Sequence, residues 1–258
     1  MEFIDTHAHL YLEQFQDDID TVMQNAIDSG VTKIFLPNID SKTLKSMNDL
    51  SRKFPTNCFP MIGLHPSDVK ENFMEELALV KKEAETGNYI AIGEIGIDLY
   101  WDKTYLLPQQ EAFAFQLALA KTHGIPVAIH ARDSFDEIFE VLDQHNDDSL
   151  SGVLHCFTGN LEQANRVINY GGFKLGIGGV ATFKNGGLDK VIPHVDLAHL
   201  VLETDAPFLA PKPFRGKRNE SQYIPIIADR IAELKGIKIE EVAEATTKNA
   251  MELFDKVK

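Results

Sequence analysis

Residues 89–98 read Tyr-Ile-Ala-Ile-Gly-Glu-Ile-Gly-Ile-Asp (YIAIGEIGID). Apolar residues fall on both alternating faces of this stretch, and its charges sit toward the carboxyl end. A strand that is apolar on both faces suits a parallel sheet covered by helices. Working outward, seven similar short runs appear: EFIDTHAHL (2–10), TKIFLPN (32–38), CFPMIGLHP (58–66), PVAIHAR (126–132), GVLHCF (152–157), FKLGIGG (173–179) and HLVLETDAP (199–207). They recur at intervals of roughly 25–35 residues, one βα unit each. Amphipathic helical patterns lie between most of them, at 17–29, 41–54, 75–86, 109–123, 133–145 and 161–170. The pattern after FKLGIGG is the weakest, spanning 188–192, and the tail reads as two helices, 224–235 and 239–256.

Eight such units in 258 residues match an α/β (β/α)8 TIM barrel. A doubly wound sheet is second choice, because no GxGxxG opens a helix after the first strand, and Gly176–Gly179 lacks the spacing. No linker-like stretch interrupts the chain, so a single domain over residues 1–258 is predicted.

Composition narrows the class. Apolar residues make up 44% and charged residues 25%, ordinary for a globular protein and unlike disordered or collagenous chains. No stretch approaches the roughly 20 apolar residues of a membrane span. MEFIDTHAHL lacks the basic and apolar regions of a signal peptide. Cys58 and Cys156 are the two cysteines, which excludes a disulfide scaffold and makes a reducing cytoplasm the default. A monomer is the default assembly. The 39 acidic against 25 basic side chains give a net charge of −14, which argues against a broad basic nucleic-acid footprint.

The polar residues cluster at the carboxyl ends of the strand candidates: Asp5, His7 and His9; His65; Glu94; His130 and Arg132; His155; Glu203 and Asp205. In a barrel those ends form one mouth, where active sites are built. Period-two alternation puts Asp5, His7 and His9 on one face, pairs His130 with Arg132 and Glu203 with Asp205, and turns Cys156 away from His155 toward the helical shell. Any one of these histidines alone reads as a hydrogen-bonded structural residue. Their joint placement is the signal, because unpaired polar groups buried together cost several kcal/mol each. Divalent metal is the natural compensation for imidazoles and carboxylates. His7, His9, Glu94, His130, His155 and Asp205 exceed the needs of one catalytic zinc. They suit two ions roughly 3.5–4 Å apart. Glu94 is the expected bridge between a His7/His9/Asp205 site and a His130/His155 site. Asp5 is expected to orient a ligand histidine from behind.

At these residues the sequence resembles a known family. IDTHAHL, IGLHP, GEIGID, PVAIHARD, LHCFTG, LETDAPFLAP and RGKRNE look like the successive motifs of the TatD-like deoxyribonucleases, metal-dependent hydrolases of the amidohydrolase superfamily. The resemblance runs in order from Asp5 to about Glu220, nearly the whole chain. It implies a (β/α)8 barrel that hydrolyses phosphodiester bonds of DNA. It implies His7, His9 and Asp205 as ligands of a first metal, His130 and His155 of a second, and Glu94 as the bridge. It further implies Glu203 as candidate ligand of a third ion, and His65 as facing substrate. Leu99 stands where an aromatic is frequent and Ser221 where a proline is usual, which leaves substrate contacts open.

The expected cofactors are two divalent ions per chain (Mg, Mn or Zn), with a third at Glu203. The expected reaction is attack of activated water on phosphorus, with Asp205 as general base and Glu94 holding the metals. His65 and Arg132 would bind the phosphate oxygens, the latter through its planar fork. An ion pair of Arg132 with Asp133 or Glu94 is the competing reading. Helix N-termini face the mouth, and Arg215, Lys217 and Arg218 form a local basic cluster, alternatively plain solvated surface. Tyr100 and Trp101 would stack on a base or cap the hydrophobic rim. About 2–4 phosphate contacts are expected, with a shallow salt dependence, suiting DNA ends or single strands. The alternatives are a superfamily esterase or amidase acting on a small molecule or aminoacyl-tRNA, and a metal-dependent binding module without catalysis.

Overall fold

The computed structural model describes residues 1–100 and 102–257. Three parallel strands, β1 (Phe3–Asp5), β2 (Val31–Leu36) and β3 (Cys58–Pro60), pair in sequence order. Five more follow in order: β4 (Ile92–Asp98), β5 (Val127–Arg132), β6 (Gly152–Leu154), β7 (Phe173–Ile177) and β8 (Leu200–Leu202). Parallel bridges Ala8–Ala206 and Ile62–Ile92 join the two groups at both seams. The ring is thereby closed into a (β/α)8 TIM barrel.

Several ladders are shorter than the apolar runs that announce them. β1 stops at Asp5, yet residues beyond it stay tied to both neighbours: Ala8 N donates to Phe35 O (3.0 Å), His9 N to Ala206 O (2.7 Å), and Asp205 N to His7 O (2.9 Å). His7 and His9 therefore sit on backbone as fixed as a strand.

Helices α1 (Ile19–Asp28), α2 (Leu44–Lys53), α3 (Phe73–Ala84), α4 (Leu106–His123), α5 (Phe135–His145) and α6 (Leu161–Asn169) follow the first six strands. A reciprocal Asn160/Gln163 capping box starts α6, and Gly124, left-handed at φ +58°, ends α4. After β7 the chain makes only short 3-10 turns, including one at Leu188–Lys190 where sequence periodicity was weakest. Gly186, Gly187 and Pro193 account for this, as both residue types interrupt helices. The tail forms α7 (Ile224–Lys235) and α8 (Ile239–Leu253).

A small apolar cluster inside the ring takes one residue from most strands or their flanks: Ile4, Phe35, Met61, Ala91, Ala128, Val153 and Val201, with Phe254 beneath. This layer plugs one end of the barrel. Polar side chains next along the strands can only gather at the other end.

Candidate metal centre and active site

Glu94 is the hub of that mouth. It is 2% exposed, and its two oxygens face different partners. Oε2 lies 3.1 Å from His7 Nε2 and 3.3 Å from His9 Nε2. Oε1 lies 2.9 Å from His130 Nδ1, 2.9 Å from His155 Nε2 and 3.2 Å from His65 Nε2. Asp205 Oδ1 stands on the Oε2 side, 3.6 Å from His9 Nε2 and 3.8 Å from His7 Nε2. Burial pushes the Glu94 carboxyl up, but the surrounding imidazoles, His65, His155 and His7, outweigh it and hold the group well below the usual carboxylate range. Asp205 is likewise pushed up by burial and brought below its ordinary value by His9, His155 and His7.

Hydrogen bonds behind the rings set which nitrogen faces inward. Tyr11 donates its single hydroxyl proton to Pro37 O, so its oxygen accepts from His9 Nδ1–H at 2.9 Å. The Nε2 lone pair of His9 is thereby aimed at Glu94 and Asp205. Asp98 Oδ2 accepts from His130 Nε2 at 2.9 Å, leaving Nδ1 toward Glu94. His65 is oriented the other way: its Nδ1 accepts the backbone N–H of Ser67 (3.1 Å), so its ring proton sits on Nε2. In this orientation His65 presents an N–H toward Glu94 Oε1.

The arrangement fits divalent cations. Lone pairs aimed at carboxylate oxygens repel unless a positive charge lies between them. His7 Nδ1, His155 Nδ1 and Glu203 Oε2 are buried without a hydrogen-bond partner. Orphans of this kind cost about 1–3 kcal/mol each. Ligand atoms of His7, His155 and Glu203 come within 4.8 Å of one another, as do those of His7, His9 and Glu94, and those of His65, Glu94 and His130.

Above the cluster opens a cavity of about 680 Å³, within the usual range for small-ligand sites. Arg132 lines it and stacks on Tyr100, with the guanidinium 3.7 Å from the ring centroid. Asp68, Asp98, Asp205, Phe208 and Leu209 contribute further wall.

Some expectations are changed by the geometry. Asp5 holds His7 by its backbone N–H (3.3 Å) rather than by its ring, and also accepts from Thr204 N (2.9 Å), Thr204 Oγ1 (2.6 Å) and Ser221 Oγ (2.7 Å), tying the end of β1 to the segment after β8. Cys156 does not face the helical shell. β6 ends at Leu154, and Cys156 takes a left-handed φ of +43°, so strand parity no longer applies and the residue lines the cavity. Arg218 is spent on Asp18 and Glu220 (2.7 Å each), which removes it from the basic cluster. Arg215 lies over Phe183 at 4.6 Å and Lys217 over Phe214 at 5.9 Å. Leu99 is buried and Ser221 serves Asp5, so neither departure from the motifs touches the cavity. Trp101 lies outside the described residues. Sequence reasoning missed Asp98, although Glu94, Gly96 and Asp98 share one face of β4 by simple alternation. It also missed Tyr11, which belongs with His7 and His9 on the same parity but lies beyond the strand.

A plugged barrel whose mouth gathers imidazoles around a buried carboxylate defines a metal-dependent hydrolase. Comparison with known proteins places it more closely: the family model described as "TatD related DNase" matches residues 4–255, and the chain belongs to that family. It is 39% identical over 251 residues to the uncharacterized metal-dependent hydrolase YabD of Bacillus subtilis (strain 168), covering 97% of this chain and 98% of that one. It is 32% identical over 259 residues to the 3'-5' ssDNA/RNA exonuclease TatD of Erwinia tasmaniensis, covering 97% and 99%. The crystal structure of YJJV, a TatD homolog from Escherichia coli K12, matches with a TM-score of 0.92 at 31% identity, covering 98% of both chains. The protein is a metal-dependent hydrolase acting on ester bonds. Among the described residues no helix is long and apolar enough to cross a membrane.

Proposed function

We propose that the protein is a dinuclear phosphodiesterase that degrades DNA from ends or in single strands. The observation that carries this reading is the division of Glu94: Oε2 toward His7 and His9, Oε1 toward His130 and His155. His7, His9 and Asp205 would hold one divalent ion, His130 and His155 a second, with Glu94 shared, and Glu203 is the candidate holder of a third. Mg, Mn and Zn all match this donor set. Divalent ions so held supply Lewis acidity toward phosphate and a water acidic enough to react near neutral pH.

The chain's own groups do the rest. Asp205 faces the cavity and is held deprotonated, placed to take the proton of the attacking water. His65, with its proton on Nε2, donates to a non-bridging phosphate oxygen. Arg132 adds a planar fork whose orientation its stack on Tyr100 maintains. Without cations, Glu94, Asp98 and Asp205 would repel a phosphate, so the substrate's charge itself demands a loaded site. The relatives named as ssDNA/RNA exonucleases support a nucleic-acid substrate.

The test is hydrolysis of single-stranded oligonucleotides blocked at the 3′ or the 5′ end, after chelation and re-addition of Mg, Mn or Zn. Metal-restored degradation from one free end is expected. A protein that cleaves carboxylic esters but no oligonucleotide would overturn the reading.

A further inference from the structure

Phe208 has no place in the metal cluster, yet it stands in the cavity wall with 48% of its surface exposed, beside Leu209 at 41%. Scattered exposed apolar residues need no explanation, but two adjacent ones lining a catalytic cavity do. Their backbone is fixed. Phe208 N donates to Asp205 O (2.8 Å), and Phe208 O accepts from Asn219 Nδ2 (2.6 Å), whose amide also reaches Thr204 O (2.7 Å). The Phe208 ring meets the His9 ring edge-on, centroids 6.2 Å apart, next to the Asp205 side of Glu94. Around the ring the loop after β8 lies four positions from β4, which leads to Tyr100, and three from β5, which ends at Arg132, so it faces that pair across the mouth.

We infer that Phe208 is the platform on which a base of the substrate stacks, and that it gives the enzyme its preference for unpaired nucleotides. The inference rests on the nucleic-acid reading above and adds a specificity-determining residue to it. A phosphate drawn to a cation held by His9 and Asp205 would bring the base of its own nucleotide to the exposed Phe208 ring. Within a duplex both faces of a base are covered by its neighbours, so only an end or a single strand can use the platform. Stacking tolerates every base, since each has a π-face. The platform therefore selects for the presence of a base, not for its identity.

The experiment compares two single strands of equal length, one of ordinary thymidine nucleotides and one whose terminal residues are tetrahydrofuran spacers lacking bases. The loaded wild-type enzyme and the Phe208→Ala and Phe208→Trp variants are assayed on both. Wild type should favour the base-bearing strand in kcat/KM by about tenfold, Phe208→Ala should bring that ratio near unity, and Phe208→Trp should restore it. An unchanged ratio in Phe208→Ala, or a wild type indifferent to the bases, overturns the inference while leaving the nuclease reading intact. A wild type that cleaves neither strand yet hydrolyses a p-nitrophenyl phosphodiester overturns both.

Discussion

Gly176 on β7 and Glu203 just past β8 fit together only because the glycine has no side chain: a Cβ on Gly176 would lie 2.1 Å from Glu203 Oε2. The buried carboxylate occupies the space that side chain would take. Gly176→Ala must therefore displace Glu203 from beneath His155. The expected cost is about 1–3 kcal/mol of stability, as for other overpacked cores. Urea denaturation of the variant measures it, and an unaltered midpoint would mean that the Glu203 carboxylate moves aside at no cost.

Tyr11 acts through His9. Its oxygen accepts His9 Nδ1–H and so keeps the Nε2 lone pair directed at the cluster. Tyr11→Phe keeps the ring and removes that acceptor. Divalent-ion affinity should fall about 10–100-fold, the usual effect of losing a group that orients a ligand. Calorimetric titration of the metal-free protein reads this directly. Equal affinity in variant and wild type would show that the hydroxyl does not hold the ring.

Glu94→Gln replaces a shared carboxylate with an amide that has one acceptor and one donor end. The loss of activity should exceed the ~10–100-fold of an orienting group, and metal content should drop together with it. Elemental analysis alongside the assay separates loss of metal from loss of chemistry. Full metal content with full activity would disprove the bridging role proposed for Glu94.

Burial pushes the Asp5 carboxyl from its ordinary 3.8 up to about 7, against the hydrogen bonds from Thr204, Ser221 and His7. The folded protein thus keeps a proton that the unfolded chain gives up. The stability linked to this proton is fully present below pH 3.8 and is lost as pH rises to about 7. In chelator-treated protein, the stability difference between wild type and Asp5→Asn should shift against wild type across that window. Urea midpoints measured at several pH values test this; parallel curves for the two proteins would refute it.

The strand–helix alternation was legible because it is local. Apolar residues on both faces of YIAIGEIGID and its counterparts specify buried parallel strands without reference to the rest of the chain. The gathering of His7, His9, Glu94, His130, His155 and Asp205 followed from the same alternation once the strands shared one mouth. Legibility failed where the chain leaves the strand. Cys156 escaped parity through its left-handed backbone. Arg218 counted as a basic residue near the mouth until Asp18, distant in sequence, neutralised it.

The amino-acid order by itself thus determined the barrel and the chemical character of its rim, since both arise from short-range periodicity and residue type. Only the tertiary structure decided which oxygen of Glu94 meets which imidazole, which ring nitrogen points inward, and which apolar side chain stays uncovered in the cavity. Those outcomes depend on contacts such as Tyr11 with Pro37, Asp98 with His130, and Asp5 with Ser221. Each joins segments whose relative positions are set by closure of the whole ring, and no local pattern encodes them.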